Sequence, residues 1–222
     1  MDNFDFSIVW QFRDALLRGL LVSIELSAVC AVLGIACGFP LSLARQSRFA
    51  TLRAVSALYV EIIRGLPVLI TLFWVFFCLP LLLGLEIGAF GSSVIALTLY
   101  MAAVSSEAFR SALAAIGRDQ HDACRALGLS HLTAAVFVVA PQAFVRAIPN
   151  LLSCTVSLFK ESALVSAVGM VELMYVGQNI SNVTARPVEI LTVVALIYFV
   201  IGFALTRVVN MAETRILIRI GS

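Results

Sequence analysis

Long uncharged stretches alternate with short charged ones along this chain. The first stretch, from Leu26 to Ala44, carries no charged residue. At about 1.5 Å of rise per residue, a helix of that length is close to the ~30 Å thickness of the hydrocarbon core of a bilayer. Similar apolar stretches recur, and the pattern predicts an all-α integral membrane protein with five transmembrane helices. The other four predicted spans are the run after Arg64 to Leu85, Ser92 to Ser106, a span from Pro141 or Gln142 towards Phe159, and Ile190 to Thr206.

Basic residues predict the orientation of these spans. Arg45, Arg48 and Arg53 directly follow the first span, and loops rich in arginine and lysine stay in the cytoplasm. We therefore expect the N-terminus outside and the C-terminal tail inside. The tail carries its own basic residues, Arg207, Arg215 and Arg219.

One apolar segment is ambiguous. Residues 126–145 are uncharged apart from His131, and hydropathy alone would make them a span. A crossing here would move the basic tail outside, against the charge rule. We therefore expect Leu132 to Ala140 to belong to an inner loop packed in protein, with the fourth span beginning near Pro141, since proline is tolerated in the first turn of a helix.

Composition agrees with a membrane protein and limits its chemistry. Hydrophobic residues make up 61% of the 222 positions, charged residues 13%, and the mean hydropathy is +1.04. The net charge is only +2 and the basic residues are dispersed, so nothing points to nucleic acid. No phosphate-binding glycine loop, catalytic motif or metal-ligand spacing is present, so we expect no catalytic residue, cofactor or metal, and the five cysteines are expected to be small buried residues.

A charged segment, about residues 107–141, interrupts the apolar pattern. Within it, Asp119 is placed to cap a short helix and Gly128 to end it in the left-handed conformation. Asp122 and Arg125 have the i, i+3 spacing of an ion pair. A helix this short and polar needs a partner for stability. Its predicted apolar stripe consists of Ile116, Gln120, Ala123 and Leu127.

The same segment resembles the EAA loop of the membrane subunits of bacterial ABC importers. The matching residues are DACRALG from Asp122, with Gly128 six residues later, and VVAP ending at Pro141. Asp122 replaces the family's Glu and Cys124 its second Ala, changes that preserve charge or size. The upstream Pro-x-Gly-Gln of polar amino-acid importers keeps only its Gln. The resemblance implies ATPase-coupling roles for Gln120, Asp122, Ala123, Arg125, Gly128 and Pro141.

A second resemblance lies at the inner end of the second span. The run YVEIIRGLP is similar to the Y-V-E-x-x-R-G-x-P segment of polar amino-acid importers. It implies pathway or gating roles for Glu61 and Arg64, which have i, i+3 spacing. A plainer interpretation stays open, in which Arg64 extends to the inner membrane surface and Pro67 marks a helix start.

A third resemblance surrounds the only lysine of the chain. The segment SLFKESALVSAVGMVEL is similar to the family's S-L-L-K-D-T-S-L-V-S-x-I-G-x-x-E-L. Ionisable residues in an apolar context usually face a cavity or each other, so Lys160, Glu161 and Ser162 are predicted to line the substrate pathway. Ser162, Ser166 and Gly169 favour a broken helix. Alternatively, Lys160 and Glu161 pair with other charges to fix helix packing.

Taken together, the resemblances imply a type I ABC importer permease, a single transmembrane domain over residues 1–222 in the bacterial inner membrane. Implied partners are an ABC ATPase dimer, a second permease subunit, an external solute-binding protein, membrane lipid and a polar amino acid. The implied function is ATP-driven amino-acid import, with ATP hydrolysed by the separate subunit. Opines or other amino-acid-like solutes are an alternative cargo, and an ATP-independent secondary transporter is the alternative of another class.

Overall fold

The computed structural model describes residues 7–220, except for the side chains at positions 118, 121, 131, 212 and 215–220. The side chains of Arg215 and Arg219 therefore lie outside the described residues. Across the described range the regular structure is helical and contains no strand. The α-helices are α1 (Ser7–Gln11), α2 (Arg13–Ala44), α3 (Ala50–Gly65), α4 (Val68–Phe73), α5 (Leu79–Leu83), α6 (Ala89–Ala114), α7 (Arg118–Ala126), α8 (His131–Ala134), α9 (Ala140–Glu161), α10 (Leu173–Thr184) and α11 (Pro187–Ile220); π-helical turns cover Trp74–Cys78 and Ala135–Val139, and a 3-10 helix covers Ser162–Val168.

Four helical segments of the described chain are long and apolar enough to cross a membrane. A fifth crossing is available if the bent pair Ala50–Gly65 and Val68–Leu83 forms one span. The all-α membrane architecture is thus confirmed, with four or five spans. The four single segments are Arg13–Ala44, Ala89–Ala114, Leu132–Val168 and Pro187–Met211.

The bent pair breaks where glycine and proline occur together in the sequence. Leu66 is extended, as the residue before a proline tends to be, and Pro67 precedes the first residue of α4. The two halves meet at 109°. The predicted break between Gly65 and Pro67 is therefore confirmed, and α3 does not continue the direction of the apolar run that follows.

The prediction of an inner loop at Leu132 to Ala140 is wrong. This segment is helical and runs without interruption through α8, the second π turn and α9. Leu132 and Phe137 are 74% and 76% exposed in this chain, so they are not packed against its other helices. The charge rule concerns the side of the membrane on which a segment lies, so it does not distinguish a loop from a helical extension.

Both π turns directly precede a proline. Pro80 and Pro141 are each the second residue of the helix that follows a π turn. A proline ring clashes with the carbonyl four residues earlier, which belongs to Phe76 in one case and Phe137 in the other. Both phenylalanines lie inside the π turns, where the helix is wider. Each turn therefore accommodates a proline without ending the helix.

Helices α2 and α6 pack closely through two glycines. A Cβ atom on Gly34 would overlap the side chain of Met101, and one on Gly38 would lie 2.6 Å from Ser105 Oγ. The hydroxyl of Ser105 also donates a hydrogen bond of 3.1 Å to the carbonyl oxygen of Gly34. Small residues let helix backbones approach in this way in membrane proteins. This pair forms the central contact of the bundle.

The polar residues between Glu172 and Pro187 predict an outer loop or surface helix there; the segment is helical, but the side chain of Glu172 is fully buried. Glu172 precedes α10 and accepts a hydrogen bond from the Tyr175 amide at 2.8 Å, as an N-cap does. Its other oxygen accepts from the hydroxyls of Ser23 at 3.0 Å and Tyr198 at 2.7 Å. One carboxyl group thus joins α2, α10 and α11.

A second carboxylate, Glu107 near the end of α6, binds three arginines. Arg45 Nη1 lies 2.6 Å from Glu107 Oε2, and Arg64 Nη1 lies 3.8 Å from the same oxygen. Arg110 donates to both carboxylate oxygens, with Nε at 3.0 Å from Oε1. We call these four residues the Glu107 cluster. It fixes the ends of α2 and α3 to α6.

The cysteines only partly follow their prediction. All five are free; Cys30 and Cys124 are buried and Cys154 is half-buried. Cys37 and Cys78 are exposed, so the expectation that all five are buried is wrong for these two. Both lie in apolar helices, where an exposed position on an isolated chain still suits a small hydrophobic side chain.

We predict that Gly34→Val destabilises the α2–α6 pair by about 1–3 kcal/mol, because the added methyl groups must displace Met101. The measurement is the thermal unfolding midpoint of the purified chain in detergent. Gly88→Val is the matched control, since its Cβ would meet nothing within 4 Å and its φ is −69°. Equal midpoints for the two variants would contradict the packing role of Gly34.

We predict that Glu107→Gln lowers the free energy of unfolding by about 1–3 kcal/mol, because three arginines then share a site without their carboxylate. Asp122→Asn is the control: it removes an ion pair whose side chains are 72% and 67% exposed, and such pairs contribute about 0–1 kcal/mol. Denaturation in detergent at low salt measures both. A loss no larger for Glu107→Gln than for Asp122→Asn would show that the cluster does not hold the helices together.

Candidate functional site

The charged segment forms the short helix predicted for it, with one change at its start. Helix α7 covers nine residues, and Gly117, rather than Asp119, occupies the N-cap position. Asp119 lies within the first turn, where its charge still suits the positive end of the helix dipole. Gly128 has φ +68°, so its predicted left-handed conformation is confirmed.

The packed face of α7 differs from the predicted stripe. Ile116, just ahead of the helix, is buried as expected, and Cys124 is the buried residue within it. Ala123 and Leu127 are exposed, so the predicted apolar stripe is only partly packed against this chain. The short segment has two adjacent apolar faces in the sequence, and only tertiary packing selects between them.

Gln120 connects α7 to α9. Its side-chain oxygen accepts a hydrogen bond of 3.3 Å from the amide of Gln142, and Arg146 donates to the carbonyl oxygen of Ala115 just ahead of α7. A cavity of about 450 Å³ lies at this junction. It is lined by Gln120, Pro141, Gln142, Val145 and Arg146. The structure thus brings Gln120 and Pro141 together with Gln142 and Arg146, to which no sequence motif had assigned a role.

The remaining face of α7 is charged and exposed. Arg125 Nη1 lies 3.5 Å from Asp122 Oδ1, which confirms the predicted i, i+3 ion pair. Both side chains are more than two-thirds exposed, so a partner can reach them. An exposed pair adds little stability by itself. The described charges of α7 therefore point away from the bundle, and its anchoring residues point towards α9.

Glu61 and Arg64, at the end of α3, do not form the ion pair that their spacing allows. Arg64 instead reaches the Glu107 cluster, and its side chain remains 49% exposed. Glu61 is exposed on the same helix. Arg64 therefore lies at the α3–α4 break with part of its guanidinium group free for another contact.

Lys160, Glu161 and Ser162 lie where the helix type changes. Lys160 and Glu161 end α9, and Ser162 begins the 3-10 helix, which ends at Gly169 with φ +80°. The predicted helix break is confirmed. Lys160 is exposed and its chain lies beside Gly202 of α11, whereas Ser162 is buried and donates to the Phe159 carbonyl oxygen at 2.7 Å. The three predicted pathway residues thus face different surroundings.

Tyr100 of α6 is a neighbour that the sequence did not indicate. This half-buried residue lies within electrostatic range of Glu161 and Arg64, and of Cys154 on α9. The charges of a carboxylate and a guanidinium group, predicted from separate motifs, therefore both act on one phenol. Among the described residues, no group of three or more His, Cys, Asp or Glu could hold a metal ion.

Several proteins are similar to this chain along nearly its whole length. The arginine transport system permease protein ArtQ of Bacillus subtilis is 32% identical over 214 residues, which cover 96% of this chain and 98% of ArtQ. The L-cystine transport system permease protein TcyB of the same organism is 32% identical over 92% of this chain and 88% of TcyB. The glutamate/aspartate import permease GltK of Escherichia coli O157:H7 is 28% identical over 97% of this chain and 99% of GltK.

Solved structures share the fold. The crystal structure of an amino acid ABC transporter with histidines contains a chain that superposes with a TM-score of 0.91 at 29% identity, covering 96% of this chain and 99% of that one. A chain of the MetNI methionine ABC transporter in an inward-facing conformation gives a TM-score of 0.73 at 22% identity, over 91% of this chain and 98% of that one. The arrangement of helices is therefore that of type I ABC permeases.

The family match covers most of the chain. Residues 31–218 match the family described as binding-protein-dependent transport system inner membrane component. This range includes α7, the Glu107 cluster and the Lys160 segment, the three places where the sequence motifs lie. The chain therefore belongs to the family of inner membrane components of binding-protein-dependent transport systems.

Proposed function

We propose that this chain is the permease subunit of an ATP-driven importer for polar amino acids. The observation that carries the proposal is α7: a short exposed helix with a charged outer face and an inner face attached to the long helix α9. Such a helix has no role within an isolated bundle, and its position fits a docking element for a separate ATPase. The similar permeases named for arginine, cystine and glutamate/aspartate support an amino-acid cargo.

In the proposed mechanism, Asp122 and Arg125 contact the ATPase. Ala123 and Gly128 have small side chains or none, so the ATPase can approach the exposed face of α7 closely. Closure of an ATPase dimer on ATP would move two such helices together and shift the balance between inward-open and outward-open states. To change the population almost completely, this docking must supply about 5 kcal/mol of differential binding. A helix transmits such a difference only if it is rigidly attached to the bundle.

The attachment between α7 and α9 provides that rigidity. Gln120 is bonded to Gln142, and Arg146 holds the backbone ahead of α7. Helix α9 has 22 residues and so extends about 33 Å, roughly the depth of the hydrocarbon core. Its far end is the Lys160 and Glu161 segment. A displacement of α7 would therefore reach the helix break beside the proposed pathway.

The proposed pathway chemistry suits a zwitterion. Glu161 would attract an amino group, while Arg64, which shares the neighbourhood of Tyr100 with Glu161, would attract a carboxylate. Lys160 also carries a positive charge that would suit a carboxylate, but its side chain lies beside α11. Ser162 and the 3-10 turn after it would provide backbone groups where irregular structure lines a cavity. Glu61 would contribute negative charge at the inner entrance.

We also propose the arrangement of the assembly. The chain would form one domain with five spans, its N-terminus outside and its tail in the cytoplasm of the bacterial inner membrane. It would pair with a second permease subunit, a dimeric ABC ATPase and an external solute-binding protein. Membrane orientation follows from the arginines after α2 and in the tail. Opines and other amino-acid-like solutes have the same charged groups and remain the alternative cargo, whereas the family membership does not favour an ATP-independent transporter.

We predict that Asp122→Lys abolishes stimulation of ATP hydrolysis by substrate-loaded binding protein, because it reverses charge on the docking face. The assay uses proteoliposomes holding the complete importer and a panel of polar amino acids. Glu213→Lys is the control, because it makes the same charge change at another exposed position in the proposed cytoplasmic part. Normal stimulation in Asp122→Lys, with the subunits assembled, would refute the docking role of α7.

We predict that Gly128→Ala weakens coupling while Gly117→Ala does not. An added Cβ meets nothing within 4 Å at either glycine, but only Gly128 has a positive φ. An alanine in that conformation costs about 1–2 kcal/mol, so the end of α7 would shift or fray. The readout is amino acid imported per ATP hydrolysed in the same proteoliposomes. If both variants keep the wild-type ratio, the left-handed turn does not set the angle of α7.

A further inference from the structure

An apolar cavity of about 460 Å³ lies between α2, α3 and α6, and its lining includes none of the proposed pathway residues and no residue of α7. This volume is within the ~300–1,000 Å³ range of small-molecule sites. The wall on α3 is formed by residues at helical spacing, which include Leu52, Val55 and Tyr59. The other two walls include Leu41 of α2 and Ala102 of α6. The surface inside the cavity is almost entirely hydrocarbon.

The helices around this cavity are held by specific contacts. Gly34 and Gly38 fix α2 against α6, as described above. The hydroxyl of Tyr59 donates a hydrogen bond of 2.9 Å to the carbonyl oxygen of Leu99, which fixes α3 to α6 at one side of the cavity. Arg45 and Arg64 attach the chain on both sides of α3 to Glu107. The contacts that position the three helices therefore also define the cavity between them.

Two arginines are close in sequence to the lining residues Ala44 and Leu52, and neither has a carboxylate partner among the described ion pairs. Arg53 follows Leu52 on α3 and donates to the Ser47 carbonyl oxygen at 3.3 Å, and Arg48 lies 5.0 Å from the centre of the Phe49 ring. Both arginines are exposed. The chain thus carries positive charge close to an apolar cavity. Positive charge suits the phosphate of an anionic phospholipid, and an apolar cavity suits its acyl chain.

We propose that this cavity binds an acyl chain of an anionic phospholipid of the inner leaflet, with Arg48 and Arg53 contacting its phosphate headgroup. The inner-leaflet location rests on the orientation given under the proposed function. Basic residues next to a membrane bind anionic headgroups in this way. Bound lipid would fill the space between α3 and the α2–α6 pair, so it would support the end of α3, which carries Arg64.

The test uses the full-length chain in vesicles of equal parts phosphatidylethanolamine and phosphatidylglycerol, with a trace of phosphatidylglycerol that carries a photoreactive group on its acyl chain. Mass spectrometry of the illuminated protein locates the labelled residues. We expect labelling on cavity residues of α2, α3 and α6. No ATPase or transport is needed, so failure of the importer proposal would not change this result.

Val55→Trp fills the cavity from an exposed position, and we expect it to remove most of that labelling. Leu58→Trp is its matched control: the two parent residues are 64% and 58% exposed on the same helix, but Leu58 does not line the cavity. A second photoreactive probe, phosphatidylcholine, measures lipid preference as the ratio of cavity labelling by the two lipids. The double change Arg48→Gln and Arg53→Gln should reduce the ratio of phosphatidylglycerol to phosphatidylcholine labelling by about tenfold or more, while Arg207→Gln should not.

The proposal would be overturned if labelling is spread over the outer helix faces, is equal for the two lipids and is unchanged by Val55→Trp. It would also be overturned if labelling disappears when the chain assembles with other subunits, since a protein surface would then cover the cavity. Cavity labelling without lipid preference would refute the headgroup role of the two arginines.

Discussion

The carboxylate of Glu107 is the contact on which one end of this helix bundle depends. It receives Arg45 from the end of α2, Arg64 from the break after α3 and Arg110 from its own helix. A single negative charge cannot neutralise three positive ones, so the cluster remains net positive and needs its carboxylate in place. Because Arg64 lies beside the proposed pathway, the contact that holds the bundle would also set the charge at one end of that pathway.

Each break in a helix leaves backbone groups without their helical hydrogen-bond partners. Unsatisfied backbone groups are costly in hydrocarbon, so a membrane helix is interrupted only where protein or a polar cavity covers the interruption. The break at Pro67 is followed directly by Val68, which belongs to the main core, and the 3-10 helix contains Val165 and Val168 of the same core. The 3-10 helix thus lies against the main core, beside the proposed solute pathway, whereas Leu66 in the other break is exposed and only the residue after Pro67 reaches that core.

The sequence predicted the features that depend on neighbouring residues. The left-handed Gly128, the Asp122–Arg125 pair and the break at Pro67 each follow from a few adjacent positions. The Glu107 cluster did not appear in advance because Arg45 and Glu107 are 62 positions apart. The segment from Glu172 to Pro187 was assigned to an outer loop or surface helix because of its polar residues, and carboxylates are usually solvated. The burial of Glu172 depends on hydroxyls brought in from α2 and α11.

The two π turns have a consequence for the helical phase of the chain. A π turn holds one extra residue, and each residue turns an α-helix by about 100°. Side chains after Cys78 or Val139 are therefore rotated by about that angle relative to those of an uninterrupted helix. A single 3.6-residue period cannot follow the buried face through Phe76 or Phe137. Loss of one residue within either turn would turn every later side chain of that helix towards a different neighbour, so the length of these short segments is as constrained as their composition.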